Sequence, residues 1–310
     1  MRVGRGLLDA QSARFASIDP MLPAVPEPPD GDVLTAALPD GTRVAGVVHR
    51  QVHEPSSMSR LWSATEVWEM TPLLGGAGGR GMDALLRAWR RMMDRAAGAE
   101  PDSSCVLTWP SRDAEATKAL LDHGMVPLST IAVRRPANGR DGGPPPTLRI
   151  RRATPHDLEA VLQLSLAELH YSSLVGSTIA RPEAVALKRR TLRDRLASNG
   201  PTWLAERDGI AVALAECAVV ASEPGNWTST RLPHGRWGYV NCLSVLPGAR
   251  GTGVGQQLMA FAHRELERLG TVGTYLYYNP PNPLSSVFWP RQGYRPLWTV
   301  WEVRPAFALR

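Results

Sequence analysis

Lysine is nearly missing from this chain: of 35 basic residues among 310, only Lys118 and Lys188 are not arginine. The 29 acidic residues leave a formal net charge of +6. The basic residues are nonetheless dispersed among acids, and the short runs Arg149-Ile-Arg-Arg152 and Lys188-Arg-Arg190 form no stripe or nucleic-acid-binding module, so no nucleic-acid partner is expected. Cysteine is scarce too. Cys105, Cys217 and Cys242 are odd in number, scattered and without ligand spacing, which excludes a disulfide framework and a cysteine metal centre. Each lies in an apolar run and reads as a reduced, buried thiol; no metal is expected. No apolar run approaches the ~20 residues that cross a bilayer. The opening MRVGRGLLDAQSARF has no apolar segment followed by a small-residue cleavage site. A cytoplasmic chain with no membrane partner is expected.

What is present is the balance of a folded protein, 43% hydrophobic and 21% charged, long enough for two domains with a core each. The break falls at Pro136-Ala-Asn-Gly-Arg-Asp-Gly-Gly-Pro-Pro-Pro146, where three glycines and four prolines preclude helix or central strand. Residues 1–135, a linker at 136–146 and residues 147–310 are therefore expected as first domain, connection and second domain. A similar stretch, Pro20 to Asp32, precedes the first regular element, and the residues before it are expected to be loosely held.

In the second part, alternation predicts a strand over 147–152, and Thr154-Pro-His-Asp157 starts a helix. A second helix follows over about 182–196. Strands at 202–206 and 210–220 flank the Asp208-Gly209 turn, and a further strand covers 237–245. A helix over about 253–269 carries Leu258, Phe261, Ala262, Leu266 and Leu269 on one face. A strand (274–278), a short helix (283–292) and a last strand (294–303) complete an α/β order. The first part repeats this in weaker form: strands at 33–38, 43–48 and 65–70, a glycine-rich turn (75–81), a helix (82–96), a strand (105–109), a helix (113–122) and a strand (128–133). Internal duplication is the simplest account.

The chemistry gathers at Arg250-Gly251-Thr252-Gly253-Val254-Gly255. A strand end, a basic residue and glycines opening a helix make a pyrophosphate cradle, because backbone N–H groups approach the oxygens and the helix N-terminus adds positive potential. A P-loop requires Gly-Lys-Ser/Thr, which is missing. A dinucleotide fingerprint would follow the first strand and needs one more residue between its last two glycines.

Val245-Leu-Pro-Gly-Ala-Arg-Gly-Thr-Gly-Val-Gly255 resembles the coenzyme A motif Gln/Arg-x-x-Gly-x-Gly/Ala of the GNAT acyltransferase family. Asn282, Ser285, Gly293 and Tyr294 match a second family pattern. The resemblance covers about 147–305 and implies an α/β protein of two tandem GNAT-like domains, each a mixed twisted sheet flanked by helices, the first degenerate. It further implies that strand 240–245 splays from its neighbour and that Leu243 and Val245, beside Ser244, offer backbone to pantetheine. The Leu243 N–H would polarise the thioester carbonyl, N–H groups from Arg250 through Gln256 would hold the pyrophosphate, and Asn282 and Ser285 would contact the pantetheine arm. Acetyl-CoA is the implied cosubstrate and an amine of a small molecule or peptide the implied acceptor, with the protein a monomer or homodimer.

The acid and base positions of the family are altered. Trp289 stands where members commonly carry Tyr, and an indole N–H is no general acid; Asn241 stands where some carry Glu. Glu216, in the apolar run 212–220 where a carboxylate is costly unless paired or functional, is the candidate base. The competing reading is pairing with a nearby Arg. With both usual positions changed, a non-catalytic acyl-CoA sensor is the alternative to an N-acetyltransferase. In the first part the loop Gly76-Ala-Gly-Gly79-Arg-Gly81 lacks the basic residue in register, so a structural role is expected there.

Overall fold

The computed structural model describes residues 4–96, 100–136, 148–176 and 178–309. The first half contains α1 (Arg5–Ile18), β1 (Asp32–Ala37), β2 (Arg43–Val52), β3 (Glu66–Leu73), α2 (Gly78–Arg95), β4 (Ser103–Pro110), α3 (Ala114–Asp122) and β5 (Val126–Arg134). The second contains β6 (Arg149–Arg152), α4 (Leu158–Leu174), α5 (Ala184–Ala197), β7 (Thr202–Arg207), β8 (Ile210–Ser222), β9 (Gly235–Val245), α6 (Val254–Arg268), β10 (Gly273–Tyr278), α7 (Ser285–Arg291) and β11 (Arg295–Val303). From residue 137 to 146 the expected linker lies outside the described residues.

The strands form one 11-stranded mixed sheet in the order β1-β2-β3-β4-β11-β5-β10-β9-β8-β7-β6. Each half has an antiparallel run ending in one parallel pair, β3 with β4 and β9 with β10. The last strands are exchanged: β11 pairs with β4 of the first half, β5 pairs with β10 of the second, and the two pair with each other. The order and directions of β1–β4 with β11 thus repeat those of β7–β10 with β5, the pattern expected of a duplicated unit. Hydrophobic patterning reveals strands but not which half supplies a partner, so the exchange is invisible in sequence.

In the second half, alternation sorts the strands. Ala213, Ala215, Cys217 and Val240 pack with Leu258, Ala262 and Leu266 of α6, whereas Leu214 and Cys242 pack with Leu162 of α4 and Leu192 of α5. Helices therefore cover both faces, and a bulge where Glu216–Cys242 pairing shifts to Cys217–Val240 leaves Asn241 as the extra residue. The bulge turns the next residues of β9 over. Among the described residues no helix is long and apolar enough to cross a membrane.

The residues before Pro20 differ from expectation. They form α1, whose Leu8 and Phe15 are buried, with Phe15 edge-on to Trp109 and Trp298 at 5.3 and 5.5 Å. Asp19, just beyond it, is ion-paired with Arg295 of β11. The segment has little amphipathic pattern, and tertiary contacts rather than propensity hold it.

Candidate functional site

β9 and β10 pair only from Gly273–Trp237 to Leu276–Val240, yet β9 runs on to Val245 and β10 to Tyr278. The strands part at the Asn241 bulge. Beyond it the Leu246 N–H donates to the Val212 carbonyl of β8 at 3.0 Å. By the two-residue repeat of an antiparallel ladder, the N–H of Ser244 also faces β8 and those of Leu243 and Val245 face the gap. Ser244 is buried on the α4–α5 side. Leu243 and Val245 therefore present a strand edge to whatever enters between β9 and β10.

The loop after β9 leads straight to a helix mouth. Gly251 and Gly253 have φ of +76° and +82°, a region that side chains with a Cβ rarely adopt. A Cβ on Gly251 would meet nothing within 4 Å, so its glycine serves backbone conformation rather than space. Gly253 caps α6, and the first helical hydrogen bond runs from Gln257 N to Gly253 O at 3.0 Å. The N–H groups of Val254, Gly255 and Gln256 are thus the unpaired donors of the first turn. Arg250 folds back, its Nε donating to Val245 O at 3.0 Å and its guanidinium lying 5.2 Å from the Tyr171 ring. A second cation, unnoticed in the sequence, joins the loop: Arg207 Nη2 donates to Thr252 Oγ1 at 3.2 Å. Arg207 is the last residue of β7, 45 residues earlier, and only the fold brings it here.

On the α4–α5 side, the bulge meets buried charge. Glu216 is 1% exposed. Its Oε1 lies 2.8 Å from Arg195 Nε of α5 and accepts from Asn241 Nδ2 at 2.8 Å, while Oε2 is buried without a hydrogen-bond partner. Arg195 Nη1 also donates to Cys217 O at 2.6 Å. The structure thus brings Glu216 and Asn241 together and supplies the arginine partner. Glu168 of α4 stands beside them, with Ser172 Oγ donating to its Oε1 at 2.5 Å. It keeps partial solvent contact, and burial pushes its carboxyl above the ordinary glutamate value despite Ser172 and the nearby Lys188. Lys188, 3% exposed, lies 5.1 Å from the Trp62 ring. Nothing marked Glu168 in the sequence, because α4 is apolar around much of its circumference.

At the other side of the gap, Asn282 Oδ1 accepts from Leu284 N and Ser285 N at 2.9 and 3.1 Å, and so turns the chain into α7. Ser285 Oγ donates to Asn279 O at 3.3 Å. Trp289 is buried, packed edge-on to Phe288 and Tyr294 at 5.0 and 5.4 Å, with its ring in the core.

The family model of the acetyltransferase (GNAT) domain matches residues 198–296, from the turn before β7 to the start of β11. Over those residues the chain is similar to a GNAT domain. Its fold is shared with a GCN5-related N-acetyltransferase from Sphaerobacter thermophilus, at 14% identity and a TM-score of 0.54 over 87% of this chain and 80% of that one. A GNAT-family acetyltransferase from Colwellia psychrerythraea aligns at 11% identity and a TM-score of 0.53 over 98% of both chains. No curated protein sequence matches.

The first half shows what became of the repeated cleft. Pairing of β3 with β4 ends at Met70–Leu107, and β3 continues to Leu73, as β9 continues past its pairing with β10 in the second half. Its edge is taken by α1: Gln11 Nε2 donates to Pro72 O at 2.9 Å, and Gln11 Oε1 accepts from Leu74 N at 2.6 Å. One amide thus occupies the backbone edge as an added strand would. Arg14 binds Asp113, the N-cap of α3 and topological counterpart of Asn282, at 2.8 Å. Leu7 sits 2.9 Å from where a Cβ on Gly75 would lie. No bulge interrupts β2–β3.

Proposed function

We propose that the chain is an N-acetyltransferase that moves an acetyl group from acetyl-CoA to an amine, with the site in the second half and the first half as scaffold. The observation that carries this is the unpaired edge of β9 running directly into a left-handed glycine cap with three free N–H donors. That edge suits an amide-bearing arm added as a strand, and the helix mouth suits a pyrophosphate. Acetyl-CoA supplies the thioester and its thiol leaving group. Leu243 and Val245 hold the arm, and the Leu243 N–H polarises the acyl carbonyl. Val254, Gly255 and Gln256 donate to phosphate oxygens, with Arg250 and Arg207 adding positive charge. Arg250 leaves the Val245 carbonyl when the arm pairs there. Asn282 and Ser285 orient α7 against the arm.

In the transfer, a C–N bond forms, the C–S bond breaks, and the attacking ammonium must lose a proton. Glu216 Oε2 and Glu168 are the carboxylate oxygens beside the bulge that can take it, directly or through water, and Asn241 fixes Glu216. Trp289 donates no proton to the thiolate, which leaves unassisted or takes one from solvent. The packing of Trp289 and the pairing of Glu216 also favour a second reading, a non-catalytic acyl-CoA binder. Free-thiol release from acetyl-CoA with an amine panel separates the two. Turnover that falls about 100-fold in Glu216→Gln or Glu168→Gln supports the enzyme. Tight acetyl-CoA binding with no turnover on any amine supports the binder.

A further inference from the structure

Away from the bulge, β9 and β10 carry a patch of aromatic rings on the face opposite α6. Tyr239 stacks on its neighbour Tyr275 at 4.8 Å and meets Tyr277 edge-on at 6.2 Å. Tyr277, Ile131 and Trp298 stand in register across β10, β5 and β11, so the patch continues across the sheet. Over it lies the 223–234 loop, held by Trp298 Nε1 to Arg231 O at 2.7 Å and Ser222 Oγ to Leu232 O at 2.9 Å. This loop sets Trp227 on Tyr277 at 6.4 Å and wedges Arg231 between Trp227 and Trp298, at 5.9 and 5.4 Å from their rings.

Arg231 is the anomaly. Its Nη1 reaches only the neutral oxygens of Thr230, at 3.2 and 3.4 Å, and its Nε is buried with no hydrogen-bond partner. It forms no ion pair among the described residues; Glu69 of β3 is near enough to act on its charge but does not bridge it. Burial pulls its proton affinity down. A partly buried guanidinium whose enclosed Nε faces no anion is costly. Trp227 remains 52% exposed, which leaves the approach open.

We infer that Arg231 receives an anionic group of the acceptor, whose amine lies at the Asn241 bulge and whose apolar or aromatic body spans Tyr239 and Tyr277 between them. The inference rests on the proposed transfer and names its acceptor class: an amine with a carboxylate or phosphate at the far end of an apolar body. A guanidinium held between rings presents a rigid fork for such a group. An α-amino acid alone is too short, because two ring-to-ring steps of 6.2 and 6.4 Å separate Tyr239 from Trp227.

The test compares 4-(2-aminoethyl)benzoate, its methyl ester, phenethylamine and tyramine phosphate as acceptors. The anionic amines are expected to have kcat/KM at least about 10-fold above the neutral ones, mainly through KM. Arg231→Gln should collapse that ratio and Arg231→Lys restore part of it, while the exposed Arg193→Gln keeps the wild-type ratio. Preference for only one of benzoate and phosphate identifies the anion. Equal use of anionic and neutral amines, or an unaltered ratio in Arg231→Gln, overturns the inference and leaves acetyl transfer intact. Binding of 3-phenylpropanoate but not its amide, read by tryptophan fluorescence and lost in Arg231→Gln, needs no turnover. It would sustain the anion site even if every amine failed as an acceptor.

Discussion

The Arg195–Glu216 pair can be tested by removing one charge at a time. Glu216 is almost wholly enclosed and Arg195 about one-fifth exposed. Opposite charges 4 Å apart attract by about 4 kcal/mol at an effective dielectric of 20, while desolvation opposes this by several kcal/mol. The net value of the pair is therefore small, but its loss is not: Arg195→Met strands a buried carboxylate. Such deletions cost 3–5 kcal/mol, and the partial exposure of Arg195 argues for about 3 kcal/mol. Glu216→Gln should cost less, about 1–2 kcal/mol, because Asn241 can still donate to a glutamine oxygen and Arg195 can turn to water. The double variant should then cost no more than Arg195→Met alone, with a coupling of about 2 kcal/mol. Urea unfolding of the four proteins reads this. An Arg195→Met cost below about 1 kcal/mol, or two costs that simply add, would show that Arg195 does not stabilise the carboxylate.

The other predictions concern protons and the first half. Because burial raises the folded-state value of Glu168, the folded protein binds more protons than the unfolded chain above the ordinary value of 4.5, and stability falls as pH rises through that window. Glu168→Gln should match wild type in melting temperature below pH 4 and exceed it increasingly toward pH 7; a constant difference would contradict the burial argument. Asp102 behaves oppositely. Burial works against it, but hydrogen bonds from Arg181 and Thr65 outweigh that and bring it to about 2, so its stabilisation is complete above 3.8 and is lost as pH falls toward 2. Asp102 is 38% exposed, which limits the effect to about 1 kcal/mol; Arg181→Met should remove that acid-side slope in melting temperature.

Much of the fold was legible because periodicity and punctuation are local. The Asp208-Gly209 turn, the glycine end of α6 and the alternation in β8 are written in adjacent residues, and the boundaries of the second half fell within a few positions. The glycine loop was legible for the same reason: Arg250 through Gln256 are contiguous, and Gly251 and Gly253 take the left-handed conformation that glycine allows. What could not be read was set by tertiary contact. Arg207 reaches the loop from another hairpin, Glu168 matters only once α4 covers the bulge, and the exchange of β5 and β11 has no local signature. Glu216 stands between the two. Its burial was foreseeable from the apolar run, but its partner Arg195 lies on a helix whose docking the sequence does not specify.

The repeated halves explain why one cleft is open and the other closed. Both topologies leave a strand edge past a short parallel pair. In the second half that edge is followed by a left-handed glycine cap and backed by the Asn241 bulge, and the described residues leave Leu243 and Val245 facing the gap. In the first half, Gln11 satisfies the donor and acceptor of the matching edge, and Arg14 binds the cap of α3. If α1 fills that cleft, acetyl-CoA should bind one per chain by calorimetry. Gln11→Ala strands Leu74 N–H and Pro72 O and should cost about 2–3 kcal/mol without creating a second binding event, because Leu7 and Arg14 still occupy the mouth. Two equivalents bound to the wild-type chain would mean that α1 yields to the ligand, and the first half would then be a second coenzyme site rather than a scaffold.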